Sequence, residues 1–280
     1  MTLLTHLISW LNAGMNRLFG LLHGPMTALP AWLSLTVISA LLGVVLLVLF
    51  KYTSNQAAIG RVRDRIKARL LAMKLFKDNI PVVLKSQRQV FGSAVMLLVH
   101  SVPPMVVMIL PFCLVLGQLG VWYQARPLEL NEEAIVVMQL SGSENDPLPP
   151  VSLVSSEAVQ VATGPVRMPA KQQVYWKIKA IQSGVHQLQF TVGDVHVAKE
   201  LAVGSGSMPV SIKRPSLRIG DLILYPAEKP FDKDSPVQSI EIGYPERTGP
   251  LTGSGNWVVT LFVISMLSGL AVKSSFNVKI

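Results

Sequence analysis

Residues Arg61–Lys77 read RVRDRIKARLLAMKLFK, with seven basic residues and one acid, yet Val62, Ile66, Leu70, Met73 and Phe76 recur at helical spacing. A basic amphipathic helix of this kind suits nucleic acid, a lipid surface or the cytoplasmic side of a membrane protein, and its flanks decide among them. Upstream, Leu18–Phe50 holds no Lys, Arg, Asp or Glu, and its densest part, AWLSLTVISALLGVVLLVLF, covers Ala31–Phe50. At about 1.5 Å per residue such a stretch spans a hydrocarbon core of about 30 Å. Downstream, a second uncharged run extends from Gln89 to Gln124, and a third, NWVVTLFVISMLSGLAV, from Asn256 to Val272.

Composition agrees. Half of the 280 residues are hydrophobic and 15% are charged, against about 25% charged in soluble domains. The net charge of +9 is concentrated rather than spread over a soluble surface, and Phe76 is the only aromatic within the basic stretch, so sequence-specific nucleic-acid binding is not expected. The single cysteine, Cys113, lies in an apolar run and reads as a buried, inert thiol.

Lys and Arg near the span ends set orientation. Residues 51–89 hold ten Lys/Arg and two acids, only Arg17 precedes the first span, and residues 123–255 hold twelve Lys/Arg and fourteen acids. Lys273 and Lys279 follow the third span. The expected arrangement is an interfacial helix over 1–24, a transmembrane helix over 29–50, a basic cytoplasmic helical hairpin over 51–90 and a second transmembrane helix over 91–122. An extracytoplasmic β-sandwich (123–206), an extracytoplasmic amphipathic segment and linker (207–255), a third transmembrane helix (256–273) and a cytoplasmic tail (274–280) complete it. A bacterial inner (cytoplasmic) membrane is the expected location.

The first segment lacks a basic leader and a small-residue cleavage site, so it is not expected to be a cleaved signal peptide. Leu4, Leu7, Ile8, Leu11, Met15, Leu18, Phe19 and Leu22 share one face, while Thr5, Ser9, Asn12 and Asn16 form a polar stripe opposite. A helix lying in the membrane interface is expected, with packing on the other membrane helices as the alternative. In the hairpin, Ser54 is the expected cap of a helix from about Asn55 to Lys77, and Pro81 starts the next. Its apolar stripe is expected to pack on Val82, Val83 and Val90. Arg61, Arg65, Arg69 and Lys74 are the candidate partner- or lipid-binding residues, through anionic headgroups at about 1 kcal/mol per basic residue, an acidic partner or ribosomal RNA. The alternative is that these charges only fix topology and solubility.

Inside the second span, His100, Ser101 and Gln118 are the intramembrane polar candidates. Pro103, Pro104 and Pro111 predict a kink or break there, and a neutral His100 bonded to a freed carbonyl is the structural alternative.

The order of span, basic hairpin and second span, carried by Gln56–Leu119 and its SVPPMVVMILPFCLVLGQL, resembles the YidC-type insertase superfamily, in particular its three-span archaeal members and the third subunit of the ER membrane protein complex. The resemblance implies a non-enzymatic protein that eases client segments into the bilayer through a hydrophilic groove, with a flexible Met-rich surface to which Met73, Met96, Met105 and Met108 would contribute. Its partners would be membrane lipids and other membrane proteins, as clients or complex subunits.

From Tyr123 onward, alternation replaces helical spacing. Ala134–Leu140, Val174–Ala180, Leu188–Val192 and Val195–Val203 read as strands, with turns at Ser183-Gly184 and Gly193-Asp194. With Val151–Ala162 they predict an immunoglobulin-like sandwich with Trp176 in its core. Residues 215–230 suggest a short amphipathic helix, with Leu217, Leu222, Ile223 and Leu224 resting on the membrane or the sandwich, and Val237–Tyr244 a last strand. No nucleophile elbow, phosphate loop or paired metal ligands stand out. His186 and His196 read as surface residues, and no catalytic residue, cofactor or metal is expected. A structural subunit of a larger membrane complex, docking partners through its β-domain, is the competing expectation.

Overall fold

A computed structural model of the chain describes residues 3–26, 29–144, 146–154, 157–253, 255–276 and 278. Lys279, counted above for the tail, lies outside the described residues, as does the Leu4 side chain. The helices are α1 (Leu3–His23), α2 (Ala31–Thr53), α3 (Gln56–Leu75), α4 (Ile80–Tyr123), α5 (Ile219–Leu224) and α6 (Asn256–Val272). The strands are β1 (Glu133–Leu140), β2 (Val151–Leu153), β3 (Val159–Met168), β4 (Gln173–Ala180), β5 (Gly184–Val192), β6 (Val195–Val203), β7 (Lys213–Arg214) and β8 (Val237–Ile242). The chain forms two compact units, residues 1–35 with 113–260, and residues 36–112 with 261–280. Two helices, α2 and α4, are long and apolar enough to cross a membrane, and α6 is an apolar helix of 17 residues.

In the second unit, the cap of α3 falls on Asn55 rather than Ser54: the Ala58 amide donates to Asn55 Oδ1 at 2.9 Å. Ser54 instead accepts the Gln56 side-chain amide. Ala58, Ile59 and Val62 are buried, but the stripe weakens toward the C-terminus, where Leu70 and Phe76 are each half exposed. Asn79 caps the next helix, accepting the Val82 amide at 3.3 Å, and Pro81 sits in the first turn, where no amide is required.

Of the expected kink or break in α4, the break does not occur: the helix is continuous through Pro103, Pro104 and Pro111. Each proline deletes one amide, whereas unwinding in an apolar stretch strands several backbone groups with nothing to bond. The carbonyls that lose their donors are those of Val99, His100 and Val107. The polar side chains go elsewhere: His100 Nδ1–H donates to Met96 O at 2.7 Å and Ser101 Oγ to Leu97 O at 3.0 Å.

In the first unit the strands form two antiparallel sheets, one ordered β3-β4-β1-β8-β7 and one ordered β2-β5-β6. Both contribute to one core, in which Trp176 of β4 meets Phe190 of β5 with ring centroids 5.3 Å apart. Residues 151–162 contribute to two strands, β2 and β3, which lie in different sheets. Strand β8 pairs with β1 (Val136 opposite Ile242, Met138 opposite Ile240), so the larger sheet continues well past residue 206. That pairing joins residues about a hundred positions apart, which local alternation cannot register.

Candidate functional site

Each expected site residue has a definite place. On α3, Arg61, Arg65 and Lys74 are exposed and Arg69 is partly covered. None of the four forms an ion pair among the described residues, so the row is a surface of uncompensated positive charge. His100 and Ser101 are partly buried and bonded within their own helix, and neither meets Gln118. Gln118 belongs to the first unit, where it is buried and its Nε2 donates to Asn16 Oδ1 of α1 at 2.5 Å.

The second unit holds a cavity of about 480 Å³ walled by α2, α4 and α6. Its surface is almost entirely hydrocarbon and sulfur, from Leu46, Phe50, Met108, Phe112, Phe262 and Met266. Beside it, α2 and α6 approach closely. A side chain at Gly43 would run into the Ser265 carbonyl and the Ser268 hydroxyl, and Ser268 Oγ donates to Ala40 O at 3.0 Å. Small residues that admit backbone contact plus one interhelical hydrogen bond are how helices associate where the hydrophobic effect is silent. Sequence reasoning missed this crossing, although Gly43 and the Ser265/Ser268/Gly269 spacing were its signal.

The first unit divides both faces of α1: Ile8 and Phe19 of the apolar face are buried, and Leu11 and Met15 pack beside Ile8. Of its polar stripe, Thr5 and Asn12 are buried, while Leu7, Trp10, Leu18 and Leu21 point outward, Trp10 73% and Leu21 76% exposed. Asn12 Nδ2 donates to Leu222 O at 2.7 Å and Asn16 Nδ2 to Pro226 O at 2.9 Å, carbonyls at α5 and just after it. Those carbonyls need donors once covered, so the asparagines turn toward them. On α5, Leu222 packs between Ile8 and Leu114, while Leu224 is exposed. Residues Gly117 and Ile223 touch so closely that any side chain at 117 would strike the Ile223 carbonyl.

Strand β6 holds a second missed cluster. Val197, Lys199, Leu201 and Val203 share the inward phase, so Lys199 lies fully buried among apolar neighbours. Its ammonium donates to Ser211 O at 2.5 Å, Glu200 O at 3.0 Å, Ser211 Oγ at 3.1 Å and Glu228 Oε1 at 2.6 Å. The Ser211 hydroxyl also donates to Glu228. Burial pulls the Lys199 ammonium down from the usual lysine range, and Glu228 opposes that fall. Burial also raises the Glu200 carboxyl, helped by Glu228 and opposed by Lys199. A lysine beside a serine is the composition of a nucleophile–base pair. Here Ser211 is itself buried and both groups are spent on Glu228, so the cluster clamps residues 211–228 onto the sheet. His186 and His196 face different partners, Gln182 O and Thr191 Oγ1.

No family model, curated protein or solved structure matches the chain.

Proposed function

We propose that the chain is a non-catalytic integral membrane protein that acts in membrane-complex assembly, holding an apolar segment of a partner protein against α2, α4 and α6. In this reading α6 is the third membrane helix. The hairpin and C-terminus face the cytoplasm of a bacterial inner membrane, and the β-domain is an immunoglobulin-like module on the outer side. The observation that carries the assembly role is the cavity of about 480 Å³ lined by Met108, Met266 and three phenylalanines. Flexible thioethers and aromatic rings accommodate varied apolar shapes, and the size lies in the range of roughly 300–1,000 Å³ usual for binding pockets.

A second reading, a YidC-type insertase, is favoured by a different observation. The uncompensated basic face of α3 is joined by a four-residue turn to α4, the arrangement that carries the family resemblance. An insertase moves polar segments and calls for a hydrophilic groove, whereas this cavity is apolar.

Photocrosslinking from position 266 in native membranes tests the choice. Assembly predicts one or a few discrete adducts with mature membrane proteins. Adducts only with nascent chains during synthesis favour the insertase, and adducts with lipid alone overturn both.

A further inference from the structure

The core face of the five-stranded sheet takes Val136, Met138, Ile240 and Ile242, so Val137 and Gln139 of β1 and Ser239 and Glu241 of β8 point the other way. There they floor a pocket of about 350 Å³ whose accessible wall is mostly polar. Strand register joins its parts. Gln173, Gln139 and Ser239 lie opposite one another on β4, β1 and β8, and Val137, Glu241 and Lys213 do the same on β1, β8 and β7. With strands about 4.8 Å apart and same-face residues about 6.6 Å apart, each row is about 10 Å long and the rows lie about 7 Å from each other. Residues 216–221, the lead into α5 and its first turn, close one side.

Part of this polar wall is held in place by the protein itself. Tyr175 Oη donates to Gln173 Oε1 at 2.6 Å, Gln173 Nε2 to Gln139 Oε1 at 2.9 Å and Gln139 Nε2 to Lys171 O at 3.0 Å, which orients both amides. Asp221 receives Lys213 Nζ at 3.2 Å and Ser216 Oγ at 2.7 Å. Lys213 is thereby drawn away from Glu241, its cross-strand neighbour. The side chains of Arg218, Gln238, Ser239 and Glu241 bond to nothing among the described residues, and Arg218 and Glu241 are exposed, within reach of a solute.

We propose that this pocket binds a neutral sugar, whose hydroxyls donate to the Glu241 and Asp221 carboxylates and accept from the Arg218 guanidinium and the Gln173 amide. Charge and polarity select this class. Two cations, Lys213 and Arg218, balance two carboxylates, Asp221 and Glu241, so a ligand of either net charge meets repulsion as well as attraction. The wall offers donors and acceptors side by side, and a hydroxyl is both at once. Carboxylate and guanidinium groups each engage two partners together, which suits neighbouring hydroxyls on one ring. A peptide laid on a sheet draws on pockets for its alternate side chains, and Val137 is the single aliphatic residue in this lining. No aromatic side chain lines the pocket to stack on a ring face, so binding is expected at millimolar Kd. The inference depends on neither the membrane placement of the chain nor its assembly role.

The test uses the full chain in lipid nanodiscs prepared without glycoside detergent and read by saturation-transfer difference NMR. Maltotriose, cellotriose and chitotriose are the neutral probes, deacetylated chitotriose the cationic one and trigalacturonate the anionic one. At least one neutral trimer should receive saturation and bind tighter than either charged trimer. Arg218→Gln and Glu241→Gln each alter an exposed side chain, so both should fold as the parent does while losing about tenfold in affinity, the worth of one charge-assisted hydrogen bond. Arg167→Gln, exposed on β3 and outside the lining, should bind as the parent does. Silence of all three neutral trimers overturns the proposal. Undiminished binding in both pocket variants overturns it as well, because the sugar then sits elsewhere. Tighter binding of a charged trimer overturns the neutral class. Every arm reads sugar binding alone, so failure here leaves the assembly role untouched.

Discussion

Lys199 Nζ lies 2.6 Å from Glu228 Oε1, and the lysine side chain has no exposed surface. The pair joins strand β6 to the end of the stretch that carries α5, and α5 in turn receives Asn12 of α1 through Leu222 O. The β-domain and α1 are thereby linked through residues 211–228, within one compact unit.

Breaking this pair from one side should be costly. Lys199→Met leaves the mostly covered Glu228 carboxylate without its counter-ion; loss of one partner costs about 3–5 kcal/mol when both are buried, and the partial exposure of Glu228 puts this change toward the lower end. The double change Lys199→Met, Glu228→Leu removes both charges and should recover most of that loss. Thermal melts followed by the β-sheet circular dichroism signal check the order: parent and double variant close together, the single variant well below.

Glu200 gives a pH prediction with a definite sign. Its folded carboxyl titrates above the ordinary glutamate value of 4.5, chiefly through burial. The native state therefore binds this proton more tightly than the unfolded chain. The associated stability is fully present below the unfolded value and is lost as pH rises through the raised folded one. Glu200→Gln should melt higher than the parent at pH 7, and the gap should close by about pH 4. A gap independent of pH would show that Glu200 is not held in this way.

Much of this was legible in the sequence, and the misses share a cause. The spans around Ala31–Phe50 and Gln89–Gln124, the hairpin between them and strands β4, β5 and β6 follow from periodicities of 3.6 and 2, although the turn at Ser183-Gly184 leads from one sheet into the other instead of pairing β4 with β5. What local pattern cannot carry is partnership. The polar stripe of α1 suggests a helix in the membrane interface, because the Leu222 and Pro226 carbonyls that accept from Asn12 and Asn16 lie some 210 positions away. Strand β8 was visible as a strand but not as the neighbour of β1. Lys199 sat in the apolar phase of VHVAKELAV and gave a usable signal, since a charge at an inward position calls for a buried partner. For α4, proline propensity pointed to a break that the scarcity of alternative hydrogen bonds forbids.

The crossing of α2 and α6 predicts strong sensitivity at Gly43. A valine there collides with the Ser265 carbonyl, which belongs to backbone and cannot swing aside, and overpacking of this kind costs about 1–3 kcal/mol. Ser268→Ala removes only the hydroxyl shared between Ala40 O and Ser265 O, and an interhelical bond of this kind in a bilayer is worth about 0.6 kcal/mol. In detergent, melting temperature should fall clearly for Gly43→Val and little for Ser268→Ala. Parent-like melting of Gly43→Val would mean that the two helices do not meet at this glycine.

The proposed orientation is tested by labelling. Gln87 and Asp234 are both exposed, whereas Ser86, one residue away, is buried and would resist any reagent. Single cysteines at 87 and 234 in a Cys113→Ser background should react oppositely with a membrane-impermeant maleimide on intact cells: position 234 labels, position 87 labels only after permeabilisation. The reverse pattern inverts the topology.

The basic face of α3 separates recruitment from mere charge asymmetry. Arg61 and Arg65 are exposed and Arg69 partly so, with no counter-ions among the described residues. A partner drawn to this face should bind less well after all three are changed to Gln, and its binding should weaken as salt rises, because exposed charges are screened beyond about 8 Å at physiological ionic strength. Orientation should survive, since seven of the ten Lys/Arg in residues 51–89 remain against the single Arg17 before the first span. The maleimide assay confirms orientation in the same cells. Co-purification of membrane partners in mild detergent then gives the answer: reduced recovery that was already salt-sensitive in the parent supports recruitment. Undiminished recovery by a correctly oriented triple variant leaves the arginines with the task of fixing topology alone.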